Sequence, residues 1–172
     1  MKKKALSFYC ITLMLFCQIL LCFGVARALN ENGASYISSN CEQIKTKLKN
    51  LQHSDSRARV YIGGYYEKFI SKYITPLNVR LTRNSITEAP ASELMSNQAA
   101  FATAQANFKD DFIEYQKELE ELINSDCGNA HEFYSQLTAV REKRQVMVVD
   151  IKKMSELVDK HVGLVRQLRG RL

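Results

Sequence analysis

Apolar residues recur three and four positions apart along most of this chain, which is the spacing of one face of an α-helix. The most regular run alternates steps of four and three without a slip: Leu94, Gln98, Phe101, Gln105, Phe108, Phe112, Tyr115, Leu119 and Leu122. This run predicts a helix over about 92–124, with Ser92 after Pro90 as its N-cap. A seam of this kind is typical of helices that pack side by side.

The preceding segment has the same spacing across 37–73 and predicts a first helix over about 36–83. A flexible leader is expected at 29–35. Pro76 has no backbone N–H and should kink or end the first helix. The polar stretch 53–56 is a second expected break.

The last third of the chain shows the spacing again and predicts a helix over about 131–170. Small polar residues at 84–92 and 125–129 predict the two loops between helices. Because short connections make neighbouring helices antiparallel, the expected fold is one all-α domain over 36–172. Its architecture would be an antiparallel three-helix bundle of the coiled-coil type.

Cys41 and Cys127 are the two of the five cysteines that lie beyond residue 28. Two cysteines in an exported chain most often form one disulfide. Paired positions in two antiparallel helices are equally distant from the connecting loop, and the midpoint of this pair is residue 84, inside the predicted loop. The bond would close a loop of about 85 residues and stabilise the fold by ~4 kcal/mol in the chain-entropy model.

The first 28 residues have the pattern of an export signal. Three lysines at 2–4 are followed by an apolar run over 5–25 and by the small–x–small sequence of residues 26–28. We therefore expect a signal-peptide helix that is cleaved after Ala28, and an extracytoplasmic or secreted protein. The apolar run approaches bilayer length, so an uncleaved N-terminal membrane anchor is the alternative.

Removal of this segment changes the charge argument. It holds four of the 24 basic residues and none of the 18 acidic ones, so the formal net charge falls from +6 to about +2. That balance gives no reason to expect a nucleic-acid ligand. A cationic end remains beyond the last acid: Lys160, Arg166, Arg169 and Arg171. This end suits the helix dipole, and it would allow at most weak contact with an anionic membrane.

Gly63 and Gly64 interrupt the first helix, although each glycine costs ~1 kcal/mol relative to alanine there. Counting from the loop places residue 63 opposite residue 105, inside the alanine-rich stretch 99–106. Glycines that face alanines allow two helices to approach closely. We therefore interpret the pair as a helix-packing notch, with a hinge or a ligand contact as the alternative.

The same part of the first helix is rich in tyrosine. Tyr61, Tyr65 and Phe69 fall on one stripe, which favours the core, but all the tyrosines of this segment cannot enter one seam. Aromatic and basic side chains are enriched at binding hot spots. The possible partner surface therefore combines both types: Arg57, Arg59, Tyr61, Tyr66 and Lys68.

Polar residues also occupy positions in the apolar seams: Asp55, Gln98, Gln105, Arg144 and His161. Counting about the second loop places Arg144 opposite Asp110 and Asp111, and it places His161 opposite Glu93. Buried polar pairs of this kind usually fix the register of helices and perform no chemistry.

Catalytic patterns are absent from the sequence. The three histidines are scattered with no His-Glu-x-x-His spacing, and no Cys-x-x-Cys pair occurs. No serine has a nucleophile-elbow context, and no glycine-rich phosphate loop follows a strand. We expect no catalytic residue, no metal site and no cofactor.

Several features together resemble the small exported helical proteins of candidate-phyla-radiation bacteria such as Saccharibacteria. These are the signal peptide, the cysteine pair, the segments 64–68 (Gly-Tyr-Tyr-Glu-Lys) and 76–81 (Pro-Leu-Asn-Val-Arg-Leu), and Asp126-Cys127. The resemblance covers most of the chain after residue 28. It implies an exported helical fold and assigns no activity or site residues.

The expected function is a non-catalytic structural or protein-interaction module of the cell envelope. Its partner would be a protein in the envelope or on a neighbouring cell. A holdase-like chaperone that binds unfolded envelope proteins is the alternative.

Overall fold

The computed structural model describes residues 29–83 and 89–169. Predictions on residues 1–28, including the signal peptide and its cleavage site, and on 170–172, including Arg171, lie outside the described residues. All secondary structure in the described part is helical: α1 Glu31–Ser39, α2 Cys41–Phe69, a π-helical segment Ile70–Ile74, α3 Thr75–Arg83, α4 Ala89–Asn124 and α5 Ala130–Arg169. The all-α prediction is confirmed.

The helices form three antiparallel rods. The first rod consists of α1, α2, the π-helical segment and α3, and α4 and α5 are the second and third rods. The α4 and α5 rods pack along most of their length, and the first rod packs against both of them. Contacts at the two ends set the directions: a disulfide joins Cys41 to Cys127, and the Asn78 amide donates to Gln98 at the other end.

The predicted flexible leader at 29–35 is wrong, because α1 begins at Glu31. Asn30 caps this helix, since its side-chain oxygen accepts a hydrogen bond of 2.8 Å from the Gly33 N–H. The acidic side chain of Glu31 in the first turn also favours the positive end of the helix dipole. The Asn30 cap and the first-turn acid together explain why the helix starts earlier than the apolar pattern indicated.

The two predicted interruptions of the first helix are also corrected. Residues 53–56 are continuous α-helix. In a regular helix the Pro76 ring would clash with the Lys72 carbonyl. The segment before it widens instead into a π-helix, in which the Thr75 N–H donates to the carbonyl of Ile70. This wider turn lets the rod continue past the proline to Arg83.

The second and third rods start slightly earlier than predicted. Helix α4 begins at Ala89, so Ser92 lies inside its first turns and is not the N-cap. Pro90 fits the first turn because no intrahelical partner is needed for its missing N–H. Helix α5 is capped by Asn129, whose side chain accepts from the Glu132 N–H and donates to the Glu132 carboxylate.

The seams predicted for the second and third rods form the core. Large side chains that are less than 2% exposed come from both rods: Leu94, Phe101, Tyr115, Leu119, Leu122, Phe133 and Met154. In the first rod the inward face shifts, because Tyr66 is buried while Tyr65 is exposed. A strict seven-residue repeat drifts by about 20° per heptad on a straight helix, which accounts for the shift.

Candidate functional site

The Cys41–Cys127 disulfide is present, with its two Cα atoms 5.9 Å apart. It joins the first residue of α2 to the turn between α4 and α5. Cys127 is buried in the main hydrophobic core, and Cys41 packs against that core. The predicted staple therefore closes the end of the bundle where all three rods meet.

A buried polar triad connects the three rods near the middle of the bundle. Asp55 of α2 receives two hydrogen bonds from the Arg144 guanidinium, at 2.8 Å and 3.1 Å. The same carboxylate receives a 2.7 Å hydrogen bond from the Tyr115 hydroxyl of α4. Each rod thus contributes one member, and both carboxylate oxygens are engaged.

The electrostatics of this triad favour a structural role. Burial, followed by the charge of Asp55, raises the pKa of the Tyr115 hydroxyl, so the phenol stays protonated. The hydrogen bond to Asp55 raises the pKa of Arg144. Tyr115 and Arg144 thus keep their protons and donate them to the Asp55 carboxylate, which ties the three rods together. The predicted pairing of Arg144 with Asp110 and Asp111 is wrong, because Arg144 points toward α2 instead.

Asp111 belongs to a second polar contact, which it forms with Asp150 across the α4–α5 interface. Asp150 is only 9% exposed. Burial, a hydrogen bond with the Asp111 carboxyl and the charge of Asp111 raise the pKa of Asp150 to about 6, while Lys153 acts in the opposite direction. Two carboxyls in one buried site tend to share a proton. The sequence pattern did not reveal this pair.

His161 is buried at the other end of the bundle. Its ring packs edge-on against Phe69, with ring centroids 6.0 Å apart. Burial lowers the pKa of its imidazole, which favours the neutral form. The predicted partner Glu93 is exposed, and no ion pair joins it to His161 in the described part of the chain.

The two glycines of α2 border a cleft of about 430 Å³ between α2 and α4, which we call the glycine cleft. Its walls and floor comprise Arg59, Val60, Gly63, Gly64, Tyr66, Glu67, Gln105, Phe108, Lys109 and Met154. A Cβ atom added to Gly63 or to Gly64 would meet no atom within 4 Å. The predicted packing notch is therefore wrong: Gly63 and Gln105 line the same cleft, and no neighbouring helix in the described part of the chain packs closely against the glycines.

The exposed side of α2 and the following π-helical segment carries what we call the tyrosine face: Arg57, Tyr61, Tyr65, Lys68, Lys72 and Tyr73. Tyr61 is 60% exposed, Tyr65 is 42% exposed and Tyr73 is 63% exposed. The core position that the stripe favoured is therefore wrong for Tyr61 and Tyr65, whereas the exposure of Tyr61 agrees with its alternative place in the predicted partner surface.

Two members of the predicted partner surface lie elsewhere. Tyr66 packs edge-on against Phe101, and burial raises the pKa of its hydroxyl to about 12. Tyr66 is therefore part of the cleft floor and not of the exposed surface. Arg59 is half-buried, with its guanidinium 5.2 Å from the centre of the Phe112 ring. Arg57, Tyr61 and Lys68 are exposed as predicted.

No group of three or more histidine, cysteine or acidic side chains suited to a metal ion occurs within 29–83 and 89–169. Over the same residues, no helix is long and apolar enough to cross a membrane.

The chain matches no family model, no curated protein and no solved structure. Fold and site thus define a class, a disulfide-closed helical bundle with an exposed aromatic and basic surface.

Proposed function

We propose that this protein is an exported, non-catalytic interaction module that binds a protein partner through the tyrosine face. One observation carries the proposal: three exposed tyrosines lie on one rod beside basic side chains. Tyrosine supplies a large rigid contact area with a polar tip, and it is enriched at binding hot spots. Exposed aromatic groups that are clustered in this way mark interaction surfaces more often than scattered ones do.

The arrangement of the polar core supports a binding role over a catalytic one. Asp55, Tyr115 and Arg144 satisfy one another at the centre of the bundle, and none of the three lines the glycine cleft. Such a network holds the three rods in one register. A rigid scaffold of this kind presents the tyrosine face in a fixed shape, which lowers the entropy lost on binding.

The proposed location rests on two features of different kinds. The N-terminal charge and hydropathy pattern is that of an export signal. The Cys41–Cys127 bond is of the type that persists in oxidising compartments. We infer an extracytoplasmic place of action in the cell envelope.

Photo-crosslinking from single positions tests the proposal. A photoreactive amino acid replaces Tyr61 in one variant, and in the control it replaces Val149 of α5, which is similarly exposed at 56%. We expect position 61 to give a discrete crosslinked partner in intact cells, and position 149 to give none. Equal labelling from both positions, or none from either, would contradict the proposal.

A holdase-like chaperone is the second candidate, because the floor of the glycine cleft contains apolar side chains. Tyr66, Phe108 and Met154 all line it. A holdase would suppress aggregation of several unrelated heat-unfolded proteins at near-stoichiometric ratios. The interaction module is expected to leave their aggregation unchanged.

A further inference from the structure

We propose that the partner presents an acidic segment of polypeptide and places one of its apolar side chains in the glycine cleft. This inference rests on the proposed function and assigns the chemistry of the partner. It combines the cleft, which Lys109 lines, with the cationic groups Arg57, Lys68 and Lys72, which are exposed on the first rod outside the cleft lining.

The size and lining of the cleft suit one apolar side chain. Its volume of about 430 Å³ is within the range of small-molecule binding pockets, roughly 300 to 1,000 Å³. Phe108 and Met154 supply apolar contact from two different rods, and the buried ring of Tyr66 lies beside them. The exposed Val60 on the rim, 70% accessible, extends the apolar surface outward.

The glycines keep this space open. Any other residue at position 63 or 64 would place side-chain atoms where no neighbouring atom lies within 4 Å. Glycine is the least favourable residue in a helix interior apart from proline. The bare backbone at these two positions leaves α2 open to a group that approaches from outside.

The charge around the cleft selects an acidic partner. Arg57, Lys68 and Lys72 lie along the exposed side of the first rod, and Lys109 stands on the opposite wall of the cleft. Glu67 is the acidic residue in the lining. Among the described residues, no ion pair engages any of these four basic groups. Unpaired cations attract a segment of opposite charge and accelerate its association.

The same charges disfavour a second copy of this chain as the occupant. Two copies that met symmetrically through the tyrosine face would bring the same basic residues together, and like charges across an interface are repulsive. A plain polyanion would satisfy the charge and leave the cleft unfilled. An acidic segment with an apolar side chain satisfies both features.

Four soluble polymers test this chemistry against the purified protein. Fluorescence anisotropy measures binding of a labelled glutamate–tyrosine copolymer, polyglutamate, polyphosphate and a lysine–tyrosine copolymer. We expect the glutamate–tyrosine copolymer to bind at least roughly tenfold more tightly than the two plain polyanions, because only it fills the cleft. The lysine–tyrosine copolymer should not bind.

Three outcomes would overturn the inference. Equal affinity for polyglutamate or polyphosphate would show simple polyanion binding. Equal affinity for the lysine–tyrosine copolymer would show that charge does not select the partner. Sedimentation that shows a dimer, lost on substitution of Tyr61, would identify a second copy as the occupant.

Filling the cleft provides the matched variant. Gly63→Leu places a side chain in the cleft, and Gly163→Leu adds the same side chain to α5 at a glycine that also has no atom within 4 Å of its added Cβ. We expect Gly63→Leu to weaken copolymer binding about tenfold and Gly163→Leu to leave it unchanged. The double charge reversal Arg57→Glu with Lys68→Glu should abolish it. Circular dichroism confirms that each variant is folded. Unchanged binding by Gly63→Leu, or by the double charge reversal, would refute the assignment.

The copolymer result and the crosslinking result separate the two proposals. If a partner crosslinks at position 61 and the purified protein does not bind the acidic copolymer, the interaction module is supported and the acidic segment is refuted. If the copolymer binds and no partner crosslinks in cells, the preference of the surface for acidic segments is supported and the interaction module is contradicted.

Discussion

Asp55 is the residue on which the most interactions between rods depend. Its carboxylate accepts hydrogen bonds from Arg144 of α5 and from Tyr115 of α4, and Asp55 as a whole is only 9% exposed. A buried arginine that loses its carboxylate partner becomes an uncompensated buried charge. The triad therefore sets which faces of the three rods meet.

The first prediction concerns this carboxylate. Asp55→Ala should lower the free energy of unfolding by roughly 2 to 4 kcal/mol, because the partly buried Arg144 loses its counter-charge. Urea unfolding measures the change. The control Asp110→Ala removes an exposed carboxylate and should change stability by less than about 0.5 kcal/mol. Equal effects from the two substitutions would show that the triad does not stabilise the bundle.

The second prediction concerns pH and the Asp111–Asp150 pair. The folded-state pKa of Asp150 is about 6, above the ordinary value of 3.8, so the folded protein binds more protons than the unfolded chain between these values. Stability should therefore fall as the pH rises from about 4 to 6.

The substitution Asp150→Asn removes this titration. The variant should be more stable than the natural chain at pH 8, and the difference should shrink as the pH falls toward 4. Urea unfolding across this range gives the comparison. A constant offset at every pH would mean that the pair does not titrate as stated.

At the scale of the element, the seams of α4 and α5 could be predicted from the sequence because their apolar spacing runs through long straight helices. The inward face of α2 could not be predicted to its end, because small angular errors accumulate and exchange Tyr65 for Tyr66. The π-helical segment before Pro76 was also missed, since a proline alone does not show whether a helix ends or widens.

The polar sites were predicted only in part. Asp55 and Arg144 were both placed in seams, but their pairing depends on how the first rod rotates against α5, and residues so distant in sequence carry no local signal of it. Asp150 was missed because carboxylates are usually solvated. The disulfide was predicted because two cysteines beyond residue 28, in a chain with the pattern of an export signal, leave one simple pairing.

The third prediction tests the glycines of α2. Gly63→Ala and Gly64→Ala should each raise the free energy of unfolding by up to about 1 kcal/mol, because alanine is the better helix former and the added Cβ meets no neighbour. Gly163→Ala is the matched control, with a similar expected gain. A packing notch would give a loss at position 63 or 64 and a gain only at 163.

At the scale of the whole molecule, the bundle is closed at one end by the Cys41–Cys127 bond and held in the middle by the buried triad. The first rod depends on both, because its helical contacts with the other rods are fewer than those between α4 and α5. The tyrosine face lies on this first rod. Loss of the disulfide should therefore affect the proposed binding surface as well as the stability.

The fourth prediction follows from that dependence. Cys41→Ser with Cys127→Ser should lower the free energy of unfolding by roughly 4 to 5 kcal/mol, the chain-entropy value for a loop of about 85 residues. Hydrogen exchange should increase first in α1 and the start of α2. If α4 and α5 lost protection first, the first rod would not be the element that the bond secures.

The central claim is that one face of the first rod binds a protein partner, and a crosslinking scan tests it most directly. A photoreactive amino acid is placed singly at exposed positions of all three rods, including 61, 65 and 68 on the first rod and Ile113 and Val149 on the others. One partner should crosslink strongly from 61, 65 and 68 and not from 113 or 149. A partner captured mainly from positions 113 and 149 would contradict it.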